Sequence, residues 1–436
     1  VAGPRWSASS PPSRGRAIAE MRQPAVVVGG GVAGLSTALE LAQRGWAVTV
    51  LSRARDEAAS LTAGGMLAPQ SERIGATGAE AALLRLALKA RDYFPGWAAR
   101  LEESSRVPIG LRAAGGFVAP AFANDRVHHW QPPAGAGEAL WLSADEVRSM
   151  EPLLSDAVCG GWWYPQDMSV DPRAMHAALL AACAAAGVHL REGADAQALE
   201  LAADGDSLRA VRLSDGSCIE AEVAVVCGGS WVRELLPVPV QPIKGQMLAL
   251  RPAASSASAG KLERVLFADG CYIIPRADGR VVVGATEEPE MGFCMRPTAR
   301  GIHQLLERAM ATVPALGEYE LDETWAGLRP TTPDRLPLLG ATPWRNVHLA
   351  AGYHRNGILL SPLCAKLLVD EISGTLAPDD AALVAPCLWS RFLPSGAAAP
   401  PSATAAASGT AGVAPPRWRH SESTRRAGAR AWTMRA

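Results

Sequence analysis

Apolar and polar positions alternate along this chain with two different periods, and the changes of period outline its organisation. Ala25 to Val28 is an unbroken apolar run, the pattern of a strand buried on both faces of a parallel sheet. Val32, Leu35, Leu39 and Ala42 follow at helical spacing, and Ala47 to Leu51 is again a buried-strand run. The three pieces make one βαβ unit of about thirty residues. Further pieces of the same kind are a helix from Pro172 to Ala186, a strand at Val188 to Arg191 and a strand at Val223 to Cys227. Near the end, Val347 to Ala350 predicts a strand and Ile358 to Ile372 a helix. Other stretches carry short strand-like alternation, as in Tyr272-Ile273-Ile274 and Arg280 to Gly284.

These patterns predict an α/β fold in which a sheet-rich α+β domain is inserted twice into a doubly wound nucleotide-binding domain. The nucleotide-binding domain is expected at residues 22–105, 166–238 and 326–376, and the inserted domain at 106–165 and 239–325. Residues 1–21, rich in Pro, Ser and Arg, read as a disordered extension, with the domain beginning at Met21. Residues 394–436 are low in complexity and end in an arginine cluster, which reads as a solvated tail.

Composition narrows the partners. The chain has 436 residues, 48% hydrophobic and 19% charged, with a formal net charge of -1, so no overall basic field attracts nucleic acid or anionic lipid. No apolar run approaches the roughly 18 residues that span a bilayer. Eight cysteines occur without C-x-x-C spacing and without His at zinc-ligand spacing. Free thiols in a reducing, cytoplasmic setting and no metal are therefore expected.

Gly29-Gly30-Gly31-Val32-Ala33-Gly34 matches G-x-G-x-x-G between a buried strand and a helix, where the mechanism of that motif requires it. Gly29 allows the tight turn, Gly31 lets backbone approach a pyrophosphate, and Gly34 lets helix pack on strand. The helix start adds unpaired N–H groups and a positive dipole end. The acid usual at the end of the second strand is missing: Ser52 stands there, followed by Arg53. Arg53 suggests a 2′-phosphate, but there is no second glycine fingerprint such as a flavoprotein reductase using NAD(P)H carries. A tightly held prosthetic dinucleotide, FAD, fits better.

From Pro24 to about Gly374 the chain resembles the D-amino-acid oxidase superfamily of FAD-dependent enzymes, and within it the glycine oxidases of the thiamine pathway. The motifs that carry the resemblance run from Thr62-Ala63-Gly64-Gly65-Met66-Leu67-Ala68-Pro69 through Cys227-Gly228-Gly229-Ser230-Trp231 and Pro242-Ile243-Lys244-Gly245-Gln246-Met247. They continue with Cys271-Tyr272-Ile273-Ile274-Pro275-Arg276, Trp325-Ala326-Gly327-Leu328-Arg329-Pro330 and Gly352-Tyr353-His354-Arg355-Asn356-Gly357-Ile358-Leu359. The resemblance implies a Rossmann-like FAD-binding domain with an inserted substrate domain. It places the 62–67 segment against the flavin, Ala194 and the 227–231 turn beside FAD, and His354 to Leu359 at its pyrimidine end.

The substrate end makes chemical sense alongside this. A carboxylate brought into an apolar pocket needs a paired cation, and arginine binds both oxygens with its planar fork. By resemblance Arg329 takes that part and the Tyr272 hydroxyl reaches the same group, with Met66 and Arg355 nearby. A structural ion pair for Arg329 and a core position for Tyr272 are the competing readings. Arg355 either assists the site or holds its loop. No side-chain base is named, because a neutral amine needs none.

The implied reaction is oxidation of glycine by O2 and water to glyoxylate, ammonia and hydrogen peroxide, with the imine passed to thiazole synthesis. Sarcosine, N-methyl or small D-amino acids are close alternatives, since a methylene changes discrimination by only about 1–3 kcal/mol. A dehydrogenase of the superfamily and a flavin-binding protein without turnover are the others. Pro330-Thr331-Thr332-Pro333 lacks the cysteine of covalent sarcosine oxidases, so non-covalent FAD is expected. A homo-oligomer and a functional link to thiazole synthase complete the expectations.

Overall fold

The structure, a computed structural model, describes residues 23–72, 77–130, 135–253 and 261–393. The expected extension at 1–21 and tail at 394–436 lie outside the described residues. Strand β1 (Pro24–Val28), helix α1 (Val32–Gln43) and strand β2 (Ala47–Ser52) form the first unit within a residue of where periodicity puts them. β1 lies inside a six-stranded sheet, paired in parallel with β2 on one side and Val223–Val226 on the other. His189–Glu192 extends the sheet beyond β2, while Val347–Ala351 and then the antiparallel Leu338–Ala341 extend it beyond Val223–Val226.

The continuous apolar run of β1 now has its cause. Ala25 and Val27 face a core shared with α1, Pro172–Ala185 and Gly357–Ile372, while Val26 and Val28 face a second core under a three-stranded sheet. Both faces are buried, so no polar alternation survives. The helices at Pro172–Ala185 and Gly357–Ile372 match their expected spans to within a residue at each end.

Two long helices had escaped periodicity. Helix α2 (Gly78–Ser105) has Pro95 inside it, followed by Gly96, which break the sequence signal. Its apolar stripe of Leu83, Leu86, Ala90, Phe94 and Leu101 is nonetheless buried. Ala299–Thr312 lies within a stretch read as sheet-rich, yet Leu305 and Ala309 bury one face of it against the second sheet.

That second sheet has eight strands and carries Cys271–Pro275 and Val281–Gly284 near its middle. Its longest pairing joins Gln241–Pro252 to Tyr319–Thr331, antiparallel over twelve positions. Tyr319–Thr331 runs through residues 325 and 326, the expected boundary between domains, and delivers Arg329 to the junction of the two sheets.

Candidate active site

A cavity of ≈ 840 Å³ opens at that junction, lined by residues of both sheets. At one end the lining is turn backbone. Gly29 has φ +122, and its N–H donates to the Leu51 carbonyl at 2.8 Å. A side chain on Gly29 would collide with the Cys227 carbonyl, whereas one on Gly31 would meet nothing closer than Ser60 Oγ at 3.6 Å. Gly31 therefore leaves open space where a ligand can approach backbone. Gly34 does not line the cavity; a Cβ there would strike the Gly29 carbonyl, so its part is helix–strand packing.

Gly31 is also the N-cap of α1, in extended conformation with no side-chain cap. Val32 and Ala33 face the cavity, so the helix presents N–H groups and its positive end to it. The imidazole Nε2 of His176, 2.8 Å from the Gly30 carbonyl, holds the turn from behind. Ser52 is buried against Gly30, and Arg53 beside it is fully engaged. Its guanidinium bonds Glu57 and Glu234, each at 2.9 Å, approaches Asp195 at 3.8 Å and lies 5.1 Å over the Trp231 ring. Three carboxylates leave no free cation for a 2′-phosphate at this position.

Thr62, Ala63, Gly64, Gly65 and Met66 line the middle of the cavity, while Leu67 is buried in the core. Gly65 has φ +80, and a Cβ on Gly64 would press on the Tyr272 ring at 2.9 Å. Tyr272 and Ile274 both reach Gly64, the same-face arrangement that alternation predicts. Arg276 staples the segment down, donating to the carbonyls of Gly64 at 2.7 Å and Val170 at 2.9 Å. Ala194, Cys227, Gly228, Gly229 and Trp231 line the same space.

His354, Arg355, Gly357 and Ile358 border the cavity from the start of the helix Gly357–Ile372. Asn356 and Leu359 do not: Asn356 is the buried N-cap and Leu359 is core. The N-cap again makes no side-chain bond, so this second helix start is also uncapped. His354 sits in left-handed backbone at φ 49. Burial, with Arg355 and Arg329 close by, pushes its imidazole pKa down to about 3, so the ring is neutral.

Arg329, Tyr272, Met66 and Arg355, the residues expected to meet the substrate, all line the cavity. The Arg329 guanidinium lies over Gly245, where any side chain would collide with it, and donates to the Thr286 carbonyl at 3.0 Å. Among the described residues, no carboxylate lies within ion-pair distance of it. Burial raises the Tyr272 phenol above its ordinary pKa, against the pull of Arg329, so the hydroxyl keeps its proton. Its oxygen is 3.7 Å from Met247 Sδ. Arg355, by contrast, pairs with Glu72 at 3.4 Å.

Sequence reasoning had missed Glu72, a buried carboxylate whose pKa burial raises against the pull of Arg355 and Arg329. It had also missed Trp130, Phe267 and Met247, which complete an apolar wall, and Glu57 beside Arg53. Glu72 follows directly on Gln70 and Ser71, whose N–H groups donate to Asp167 at 3.4 and 2.8 Å. Burial pushes the Asp167 carboxyl up to about 7. Nothing in the residues beside Glu72, three positions after Pro69, marks it as a cavity residue.

Two uncapped helix starts, an open glycine floor and an elongated cavity fit a dinucleotide with an isoalloxazine ring. Comparison with known proteins agrees. The family model described as FAD dependent oxidoreductase matches residues 25–371. The bifunctional protein ThiO/ThiG of a Synechocystis strain is 40% identical over 80% of this chain, and the chain spans about half (51%) of that relative's length. The glycine oxidase of Geobacillus kaustophilus is 35% identical over 80% of this chain and 93% of its own. The crystal structure of glycine oxidase from Geobacillus kaustophilus superposes with a TM-score of 0.75 at 33% identity, covering 85% of this chain and 100% of that one. The chain belongs to the FAD dependent oxidoreductase family, an enzyme with FAD as its cofactor.

Proposed function

We propose that this enzyme is an amino-acid oxidase acting on glycine, with sarcosine and small D-amino acids as secondary substrates. The observation that carries the reading is Arg329: a half-buried guanidinium facing the cavity with no carboxylate among the described residues paired to it. A buried cation in that condition is costly unless a ligand supplies the anion. Its planar fork suits both oxygens of a substrate carboxylate, and the protonated Tyr272 hydroxyl donates a further hydrogen bond to it. Met66, Met247, Trp130 and Phe267 exclude water around the rest of a small substrate.

FAD would be held without a covalent bond by the Gly29–Ala33 turn, the Thr62–Met66 segment, Ala194, the Cys227–Trp231 turn and His354 to Ile358, with Gly34, Leu67, Asn356 and Leu359 supporting them from the core. When bound, it accepts hydride from the substrate carbon and is re-oxidised by O2, giving hydrogen peroxide. The helix start at Gly357 favours negative charge at that end of the cavity. Glycine arrives with a neutral amine and needs no side-chain base. The resulting imine takes up water to give glyoxylate and ammonia, or passes to thiazole synthesis, the link suggested by relatives named ThiO/ThiG. A homo-oligomer in the cytoplasm is the assembly and setting we propose, in keeping with eight unpaired cysteines.

A peroxide-coupled assay on the yellow holoenzyme tests the reading with glycine, sarcosine, D-alanine, D-proline and L-alanine. Peroxide from glycine at the highest kcat/KM is the expected result. Failure of all five to bleach the flavin anaerobically would refute it.

A further inference from the structure

Lys244 is completely buried on the strand Gln241–Pro252, on the sheet face opposite Gly245 and Arg329. Strand alternation keeps its ammonium out of the cavity. Its Nζ makes no hydrogen bond, and its ion-pair partner is Glu288 Oε2 at 3.4 Å. Glu288 itself borders the cavity. Its other oxygen accepts from Gln246 Nε2 at 2.6 Å and Thr286 Oγ1 at 2.5 Å. Gln246 is fixed in turn by Thr298, through Nε2 to Thr298 Oγ1 at 3.0 Å and Thr298 N to Gln246 Oε1 at 2.7 Å. The carbonyl of the same Thr286 accepts from Arg329.

A lysine buried this completely gives up its hydration for one imperfect ion pair, and an apolar residue of the same shape would avoid that cost. The position of Glu288 suggests what the cation does. A carboxylate on the cavity wall, two residues from the carbonyl that Arg329 already touches, is a built-in competitor for the substrate's carboxylate. We infer that Lys244 is a positioning residue: with the backbone bridge between the two residues, it draws the Glu288 carboxylate toward its own face of the sheet, so that Arg329 stays free for the substrate. The inference rests on the proposed role of Arg329 and deepens it. The affinity of the site for carboxylates is set by a charge pair that touches no substrate.

The test is titration of the purified holoenzyme with acetate, followed by the visible flavin spectrum, with acetamide as an uncharged control. Lys244→Met releases Glu288 and is expected to weaken acetate binding about tenfold. Acetamide binding should stay within about twofold, and so should the anaerobic flavin-reduction rate at saturating glycine. The double variant Lys244→Met/Glu288→Gln removes the competitor as well and is expected to bind acetate as the wild type does.

Where Lys244→Met does not fold, Glu288→Gln alone decides the matter: it is expected to tighten acetate binding, and weaker binding overturns the inference. A double variant no better than Lys244→Met, with wild-type binding lost in both, also overturns it and leaves only a packing role. Arg329→Met is the control for the underlying reading. If it binds acetate normally, the substrate assignment of Arg329 fails, whatever Lys244 does.

Discussion

At the turn between β1 and α1 the cavity is walled by main chain: carbonyl-tight glycines, an uncapped helix start and small side chains packed from behind. At the other end, some strands away, it is walled by Arg329, Tyr272, Arg355 and Glu72, long polar side chains whose positions depend on partners from distant segments. The first wall tolerates almost no added atoms, and its chemistry is that of any peptide. The second tolerates substitution sterically, and its chemistry belongs to individual side chains. Damage to the first should therefore cost the cofactor and the fold together, while damage to the second should cost turnover and leave a yellow protein.

Gly34→Ala is the most severe test of this difference, because its methyl must displace the Gly29 carbonyl. The variant is expected to purify with less than about a tenth of the wild-type FAD content, if it accumulates at all, since backbone overpacking of this kind costs roughly 1–3 kcal/mol or more. Full flavin content in that variant would break the comparison.

Arg329→Met comes next. Flavin content and melting temperature should hold, while kcat/KM for glycine falls about a hundred- to a thousandfold, or roughly 3–4 kcal/mol. Tyr272→Phe removes one hydrogen bond from the same carboxylate and should raise KM about tenfold. The rate of anaerobic flavin reduction at saturation should be nearly unchanged. A large fall in that rate would give the phenol a role in the chemical step.

The smallest effect lies behind the substrate wall, at Asp167. Its pKa is raised to about 7 by burial, so the folded protein binds this proton more tightly than the unfolded chain does. Its contribution favours folding at pH below about 4, the unfolded value, and is lost as pH rises through 7. The wild-type melting temperature should fall by a few degrees between about pH 5 and 8 on this account. Asp167→Asn should flatten that slope, and an unaltered slope would remove Asp167 as its source.

The same division explains what the sequence made legible. The Gly29–Gly34 turn and the β1–α1–β2 unit follow from local rules: which residue tolerates φ +122, which run can be buried twice. Arg329 and Tyr272 could be placed at the cavity because the motifs that carry the resemblance are long. Glu72, Trp130 and Lys244 could not, since nothing in the residues beside them says that a fold will bring them to the cavity or bury them. Arg53 shows the limit from the other side. Read in sequence it invites a 2′-phosphate, which the lack of a second glycine fingerprint argues against; in space Glu57, Glu234 and Asp195 have claimed it. The helix Gly78–Ser105 was hidden by Pro95 and Gly96, which its packing against the core overrides.

Arg276 ties the two sheets together across the cavity. It follows a strand of the eight-stranded sheet but spends two donors on Gly64 and Val170, carbonyls on the nucleotide side of the junction. Pulling the two sheets apart would strip both bonds at once from a largely buried cation. Clamshell breathing is thus a poor route for substrate entry or product escape. The opposite wall is tied as well, since Thr286, Glu288 and Thr298 are bonded to Gln246, and the backbone of Glu288 pairs with that of Lys244. Amide hydrogens on both sides of the Arg276 staple should therefore exchange slowly with solvent, and any motion that parts the sheets carries the cost of both bonds.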